Sequence, residues 1–312
     1  MINRRAFLLS SAAALAVRGA TLTSKERIDR VLAGKEADRP PFTFWYHFQD
    51  EKAPASQHAK STLDFHRRIR TDLVKVMSDY PYPKPAGEWF DLKFVSSPFP
   101  QQIEALKEIR AGLNGEAYFL ETIFNPINVA EKLSSKEAVE RMKTENPQGL
   151  LDGLEAIAKS QASHATHAMD AGAAGVFLAI ANSADPDYAK FSEPFDRMVL
   201  NGAKGARLNV LHIHGSRIDL TRYYSGWPAA AINYSLIGTG MPFADVRKKW
   251  NGILMGGVDE AGFRKLDEGT IRAQVQAARQ AAGAKYIVAG GCSVPNDTTD
   301  QELTAAAKAI GA

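Results

Sequence analysis

The sequence predicts an α/β protein of the (β/α)₈ TIM-barrel class. Apolar runs of strand length alternate with segments of helix length, a pattern typical of a parallel sheet covered by helices. No run leads into a G-x-G-x-x-G or Walker loop, so an open nucleotide-binding sheet is not favoured. A closed barrel needs eight strands, and eight such runs are present. They are Phe42–Phe48, Leu73–Met77, Ala117–Phe124, Gly175–Ala181, Val210–Gly215, Ala230–Ser235, Ile253–Val258 and Lys285–Gly290.

Capping residues mark where several of the intervening helices should begin. A capping box pairs a Ser or Thr with a Glu three residues later, so that each side chain accepts a backbone N–H of the other residue. The secondary structure of residues 49–72 and 78–115 is harder to predict. Their Pro- and aromatic-rich sequence suggests a long active-site loop or insertion. The capping-box pairs are Thr23 with Glu26, Ser134 with Glu137, and Thr299 with Glu302.

The first twenty residues, MINRRAFLLSSAAALAVRGA, differ from the rest of the chain. Paired arginines, Arg4 and Arg5, precede a short apolar stretch and small residues near Gly19 and Ala20. This pattern predicts a twin-arginine signal peptide over residues 1–20, and hence export to the periplasm or another extracytoplasmic compartment. The apolar stretch is too short for a membrane span. One barrel domain is expected over residues 21–312.

Charge and cysteine content narrow the functional classes. The formal net charge of the 312 residues is +3, and residues 1–20 hold three arginines and no acid. The remaining chain is therefore close to neutral, which does not favour binding to nucleic acid. Cys292 is the single cysteine, so no internal disulfide can form.

The stretch NVLHIHGSR indicates a metal site. His212 and His214 are two residues apart in an expected strand, so both should face the same side, towards the barrel axis. Cys292 follows the last expected strand in AGGCSVP, at the same end of the barrel. Two imidazoles and a thiolate form a common ligand set for zinc, with a fourth position open. Packed histidines and a cysteine that only fills space are the structural alternative.

Other polar residues lie at or near the carboxyl ends of the expected strands, where TIM-barrel enzymes place their active sites. His47 and Glu121 are candidates for proton transfer, and Asp259 is a candidate catalytic residue that orients the substrate. His164 and His167 are expected on a solvated helix face because they are three residues apart in a helical segment. The candidate substrate-binding residues are Asn182, Asn233 and Tyr234.

Five segments resemble the uroporphyrinogen decarboxylase superfamily, in the branch that holds the methylcobamide:thiol methyltransferases. The resemblance extends from about Ser24 to the C-terminus. It rests on RVLAGKEADRPPF, TIFNPINVA, VLHIHG, GGVDE and AGGCSVPNDTTDQELTAAAKAI. The resemblance implies a uroporphyrinogen decarboxylase-like barrel. It also implies a zinc enzyme that methylates a thiol or similar small acceptor, with a corrinoid on a partner protein as the methyl donor.

The resemblance also implies which residues hold the zinc. Such methyltransferases take ligands from an H-x-C pair on one strand and from a cysteine in a G-C-x-[IV]-P segment. By position these are His212, His214 and Cys292, so His214 stands where the family has cysteine. Histidine also binds zinc, but an imidazole leaves the ion more positive than a thiolate does. We therefore expect a stronger Lewis acid and a less nucleophilic bound thiolate.

Two alternatives remain open at this stage. The first is a decarboxylase-like lyase acting on a porphyrin-type or other carboxylic acid. Porphyrinogen decarboxylases hold their substrate through an arginine-rich segment, whereas FWYHFQDEKAP here has no arginine and two acids, Asp50 and Glu51. A polyanionic substrate would be repelled there. The second alternative is an exported, non-catalytic metal- or ligand-binding protein.

Overall fold

A computed structural model describes residues 21–48, 52–77 and 80–311. The expected signal peptide at residues 1–20 lies outside these described residues. Seven parallel strands form one sheet in chain order, each paired with the next. They are β1 (Leu73–Val76), β2 (Tyr118–Phe124), β3 (Gly175–Ile180), β4 (Val210–Ile213), β5 (Ala231–Tyr234), β6 (Ile253–Val258) and β7 (Tyr286–Gly290).

Two helices precede β1, and the others lie between and after the strands, as in a TIM-barrel-like fold. Among the described residues they are α1 (Ser24–Leu32), α2 (Ala55–Ile69), α3 (Pro100–Leu113), α4 (Pro126–Leu133), α5 (Lys136–Glu145), α6 (Pro147–Asp170), α7 (Tyr188–Phe191), α8 (Glu193–Asn201), α9 (Leu236–Thr239), α10 (Phe243–Arg247), α11 (Glu268–Ala282) and α12 (Asp300–Ile310). None of these helices combines the length and the apolar character that crossing a bilayer requires.

The predicted strand Phe42–Phe48 is reduced to a single bridge, between Phe42 and Val288 of β7. The Phe42 carbonyl accepts from the Asp72 N–H at 2.9 Å, just before β1, so the segment lies between the first and last strands. The Phe42 N–H donates to the Asp72 carboxylate at 3.0 Å and not to a strand carbonyl. Pro40 and Pro41, immediately before it, have no N–H to extend the ladder.

Two further sequence predictions need correction. Residues 49–72 and 78–115 contain α2 and α3, so these regions are not long loops throughout. The capping residue of α5 is Ser135, whose side chain accepts from Ala138 N–H, and not Ser134. The capping boxes predicted at Thr23 and Thr299 are both present.

Alternation along the strands separates two apolar cores. Leu211 and Ile213 of β4 pack outward with the helices. Leu120, Phe177 and Met255 pack inside the curve of the sheet with other inward residues. His212 lies between Leu211 and Ile213 and therefore points inward, as the spacing predicts.

Candidate metal centre

His212, His214 and Cys292 converge at the carboxyl end of the sheet. His212 is in β4, His214 follows that strand, and Cys292 comes two residues after β7. One potential ligand atom from each of the three residues lies within 4.8 Å of the others. The Cys292 Sγ is 3.4 Å from His214 Nδ1. Ligands around one tetrahedral zinc are about 3.4–3.7 Å apart, so small side-chain shifts suffice to bind a single ion.

Asn233 of β5 determines which His212 nitrogen is available. The Asn233 amide Nδ2 donates to the carbonyls of Met255 and Gly290, at 2.9 and 3.0 Å. Its Oδ1, which lies 2.6 Å from His212 Nδ1, is therefore an acceptor. Since an amide oxygen cannot donate, His212 Nδ1 carries a proton, so Nε2 is the ring nitrogen that remains to interact with Cys292 or to bind a cation. Asn233 thus prepares His212 to bind a cation through Nε2.

The electrostatics of the cluster favour a thiolate. Burial alone would raise the pKa of Cys292, but hydrogen bonds with His212 and His214, together with electrostatic attraction to the two rings, outweigh burial and lower the pKa to about 4. The hydrogen bond to Cys292 raises the pKa of His214, against the opposing effect of burial. A thiolate is the form of cysteine that binds metals.

The turn that carries Cys292 depends on close packing and on an acid. A Cβ on Gly291 would lie 2.0 Å from Ser235 Cα, so only glycine fits there. The Gly291 N–H donates to Glu260 Oε2 at 3.0 Å. Sequence reasoning missed Glu260 and chose its neighbour Asp259. The available signal was the Gly290–Gly291 pair, because a side-chain-free turn leaves N–H groups that need an acceptor.

A cavity of about 390 Å³ opens beside the cluster. Its walls are partly aromatic, and His212 stacks on Phe177 with ring centroids 5.0 Å apart. The buried Lys75 ammonium lies 4.8 Å from the centre of the same Phe177 ring. His47 also lines this cavity, as the sequence suggested. We call this space the metal chamber, and it is lined by Trp45, His47, Lys75, Met77, Thr122, Phe124, Asn128, Lys132, Phe177, Ala179, Ala181, His212, His214, Cys292 and Ser293.

Five of the predicted site residues do not line the metal chamber. Asn233 is fully buried and holds His212 instead of facing a substrate, and Glu121 is described below. The Asn182 side chain bonds to Asn125 and Ser192. Tyr234 points outward and donates to the Met241 carbonyl at 3.0 Å. Asp259 accepts from Gly262 N–H and so stabilises the turn after β6. The positions of Asn182, Tyr234 and Asp259 do not support roles at the metal centre.

Glu121 and His164 also differ from expectation. Leu120 and Thr122 take the inward positions of β2, so Glu121 points towards the helices. There it is fully buried and lies 2.8 Å from His164 Nε2. His164 is 1% exposed, not solvated as its spacing suggested, while His167 is half-buried. The position of Glu121 does not support proton transfer at the metal centre, and its partner His164 lines a neighbouring cavity.

Comparison with solved structures reveals the same fold in methyl-transferring proteins. A methyltransferase from Methanosarcina mazei superimposes with a TM-score of 0.76 at 16% identity, covering 93% of this chain and 98% of that one. A B12-independent methionine synthase from Shewanella sp. W3-18-1 has a TM-score of 0.59 at 12% identity, covering 88% and 91%. A putative vitamin-B12 independent methionine synthase from Listeria monocytogenes has a TM-score of 0.56 at 11% identity, covering 82% and 86%.

Sequence comparison identifies the family. The search of curated proteins returned no match. The family model described as uroporphyrinogen decarboxylase (URO-D) matches residues 83–312, which is most of the chain and includes all three residues of the cluster. The chain belongs to the uroporphyrinogen decarboxylase (URO-D) family.

Proposed function

We propose that the protein is a zinc-dependent, methyltransferase-like enzyme that acts on a thiol or a similar small acceptor. The observation that carries the proposal is the convergence of His212, His214 and Cys292 at the edge of a small-molecule cavity. The fold likeness to methyltransferases supports it. Catalytic zinc sites generally have three protein ligands and an open fourth position, which this cluster can provide.

The donor set suits zinc more than a hard cation. Cys292 supplies a soft thiolate, and each histidine supplies a borderline nitrogen, whereas magnesium and calcium prefer oxygen ligands. Bound there, zinc would supply Lewis acidity that lowers the pKa of an acceptor thiol. Asn233 holds the His212 ring, and Glu260 holds the turn that presents Cys292. His47 lines the chamber and is our candidate for removing the acceptor proton.

The nature of the second histidine bears on reactivity. One thiolate and two neutral imidazoles leave a bound Zn²⁺ with a net charge of +1, whereas a second thiolate at position 214 would neutralise it. A more positive zinc binds an acceptor thiolate more strongly but withdraws more charge from its sulfur. We therefore propose an acceptor that binds firmly and reacts more slowly than at a two-thiolate site.

The methyl donor in this proposal is a corrinoid carried by a partner protein. The resemblance to methylcobamide:thiol methyltransferases supports this donor. Two of the structures with the same fold are described as B12-independent methionine synthases, so a corrinoid-free donor is the alternative to test beside it.

Elemental analysis of the purified protein tests the proposal first. We expect about one zinc per chain in the wild type and loss of most of it in Cys292→Ala and His214→Ala. His167→Ala is the matched control, because His167 is a half-buried histidine on α6 that does not line the metal chamber. Wild-type protein free of metal after purification without chelators would refute the metal site and favour the decarboxylase-like alternative.

A methyl-transfer assay then separates an enzyme from a binding protein. Zinc-loaded protein is incubated with methylcobalamin or a methylated corrinoid protein and with small thiols, and thioether formation is measured. Thioether formation that requires Cys292 supports the proposal. Stoichiometric zinc with no transfer to any thiol tested would favour the non-catalytic metal-binding alternative.

A further inference from the structure

A second cavity of about 340 Å³ adjoins the metal chamber. The two share Thr122, Phe124 and Lys132 as lining residues. The second cavity extends outside β2, where Ile123 points away from the barrel interior, towards α4, α6 and residues 80–84. We call it the side chamber. The roles proposed above leave its residues unused.

Two side chains that line the side chamber carry buried polar atoms without a hydrogen-bond partner among the described residues. These atoms are Gln161 Oε1 and His164 Nδ1, and both residues are 1% exposed. Tyr82, which is 6% exposed, also lines the chamber, and its hydroxyl is hydrogen-bonded to Ser160. Buried polar groups are normally satisfied, so a cluster of such groups on one cavity wall indicates that something else fills the cavity and bonds to them.

The hydrogen bonds around Gln161 and His164 show what these two residues can offer. Gln161 Nε2 donates to the Phe124 carbonyl at 2.8 Å, which leaves Oε1 as an unused acceptor. The Glu121 carboxylate accepts from Gln102 at 2.7 Å and lies 2.8 Å from His164 Nε2. Because the carboxylate accepts, His164 Nε2 carries the proton of this second bond, and on a singly protonated ring Nδ1 presents a lone pair.

The complement of this wall is a group that donates hydrogen bonds. Gln161 and His164 are three residues apart on α6, so their acceptors belong to one helix face. The Tyr82 hydroxyl bonds to Ser160, whose own O–H donates to the Ala156 carbonyl, so Tyr82 Oη keeps a lone pair that can accept from the same ligand. Phe99, Val129 and Leu133 supply apolar contact around these atoms. Lys84 lines the chamber as well, and its charge disfavours a cationic amine.

From this arrangement we infer that the side chamber is a second small-molecule site, which binds a neutral group bearing at least two O–H or N–H donors, such as a vicinal diol. Gln161 and His164 accept from the ligand, and Glu121 acts as a positioning residue that holds the His164 ring. The inference does not depend on the metal centre or on methyl transfer.

Paired probes test the inference on the full-length protein. Butane-2,3-diol carries two donors, whereas 2,3-dimethoxybutane has a similar skeleton and none. Each is titrated while the ring ¹⁵N signals of the histidines are followed by NMR. The diol should shift the His164 Nδ1 signal, and the diether should bind at least about tenfold more weakly, because it leaves two buried acceptors unpaired.

Variants link the binding to the named side chains. His164→Phe should abolish diol binding and identifies the His164 signal, while His167→Phe on the same helix should change neither. Gln161→Met keeps the Glu121–His164 pair and should weaken diol binding about tenfold. If His164→Phe fails to fold, Gln161→Met alone tests whether the side chamber binds the diol through these acceptors. No shift with the diol would show a chamber that holds only solvent. Equal binding of diether and diol, or unchanged diol binding in Gln161→Met, would show that the named acceptors do not recognise the ligand, and each of these results would overturn the inference.

Discussion

Asn233 Oδ1 and His212 Nδ1 lie 2.6 Å apart on neighbouring strands, at positions that are direct partners in the β4–β5 register. Because the Asn233 amide nitrogen is bonded to two backbone carbonyls, its oxygen can hold only the protonated nitrogen of His212. The pairing of two parallel strands thus sets the orientation and tautomer of a candidate metal ligand.

Removal of this contact should weaken metal binding without removing a ligand. We expect Asn233→Ala to lower zinc affinity about 10–100-fold, the range seen when a group that orients a metal-binding histidine is lost. Competition with a chromophoric chelator measures the affinity, and circular dichroism checks the fold. Asn128→Ala is the control, since Asn128 lines the metal chamber and is not hydrogen-bonded to a member of the cluster. An unchanged affinity in Asn233→Ala would refute the orienting role.

The close packing of Gly291 leads to a second prediction. An alanine there would place its Cβ 2.0 Å from Ser235 Cα, so the turn must move and carry Cys292 with it. We expect Gly291→Ala to lose most of its zinc, as judged by elemental analysis. Gly269→Ala is the matched control, because its Cβ would meet no atom nearer than 3.4 Å. Full zinc content in Gly291→Ala would show that Cys292 does not depend on this turn.

Asp72 should be a large contributor to stability. Its carboxylate is fully buried, pairs with Arg27 at 3.0 Å and Arg39 at 2.5 Å, and accepts the Phe42 N–H. Asp72→Ala leaves two cations without this partner, so we expect the free energy of unfolding to fall by about 3–5 kcal/mol. Urea denaturation measures the loss. Asp245→Ala removes an exposed pair with Lys248 and should change stability little. Equal effects in the two variants would contradict this prediction.

Asp196 should make stability depend on pH. Burial raises its pKa to about 7, although hydrogen bonds from Tyr188 and Asn125 act in the opposite direction. Between pH 4 and 7 the folded state therefore holds a proton that the unfolded state has released. Stability is greatest at the acidic end of this window, falls as pH rises through it, and levels off above pH 7. The full effect is about 4 kcal/mol at most.

The Asp196→Asn variant isolates this effect because asparagine does not titrate. We expect the difference in unfolding free energy between wild type and Asp196→Asn to change with pH between pH 4 and 7, with the wild type losing relative stability. Urea titrations at several pH values measure that difference. A difference that stays constant over this range would mean that Asp196 is ionised throughout.

The export signal can be tested in cells. If residues 1–20 direct twin-arginine export, replacing Arg4 and Arg5 together by lysine should leave the protein in the cytoplasm, because that route recognises the arginine pair. Fractionation and immunoblotting in a bacterium with this translocase measure the distribution. Export that persists in the double variant would refute the prediction.

Local sequence patterns were sufficient to predict the α/β class, seven of the eight expected strands and the shared inward face of His212 and His214. These features depend on local periodicity, which backbone geometry converts directly into strands and faces. The sequence also placed Cys292 at the correct end of the sheet, since parallel strands all end at one edge. Capping at Thr23 and Thr299 was equally local.

Which polar residues meet depends on tertiary packing. Glu260 rather than Asp259 contacts the Cys292 turn, Glu121 faces the helices with His164, and the expected first strand forms a single bridge. Each outcome depends on partners far away in the chain: Gly291 for Glu260, α6 for Glu121, and Asp72 for Phe42. Sequence periodicity shows which way a side chain points. The atoms that the side chain contacts depend on how distant elements pack, and local sequence patterns do not predict that packing.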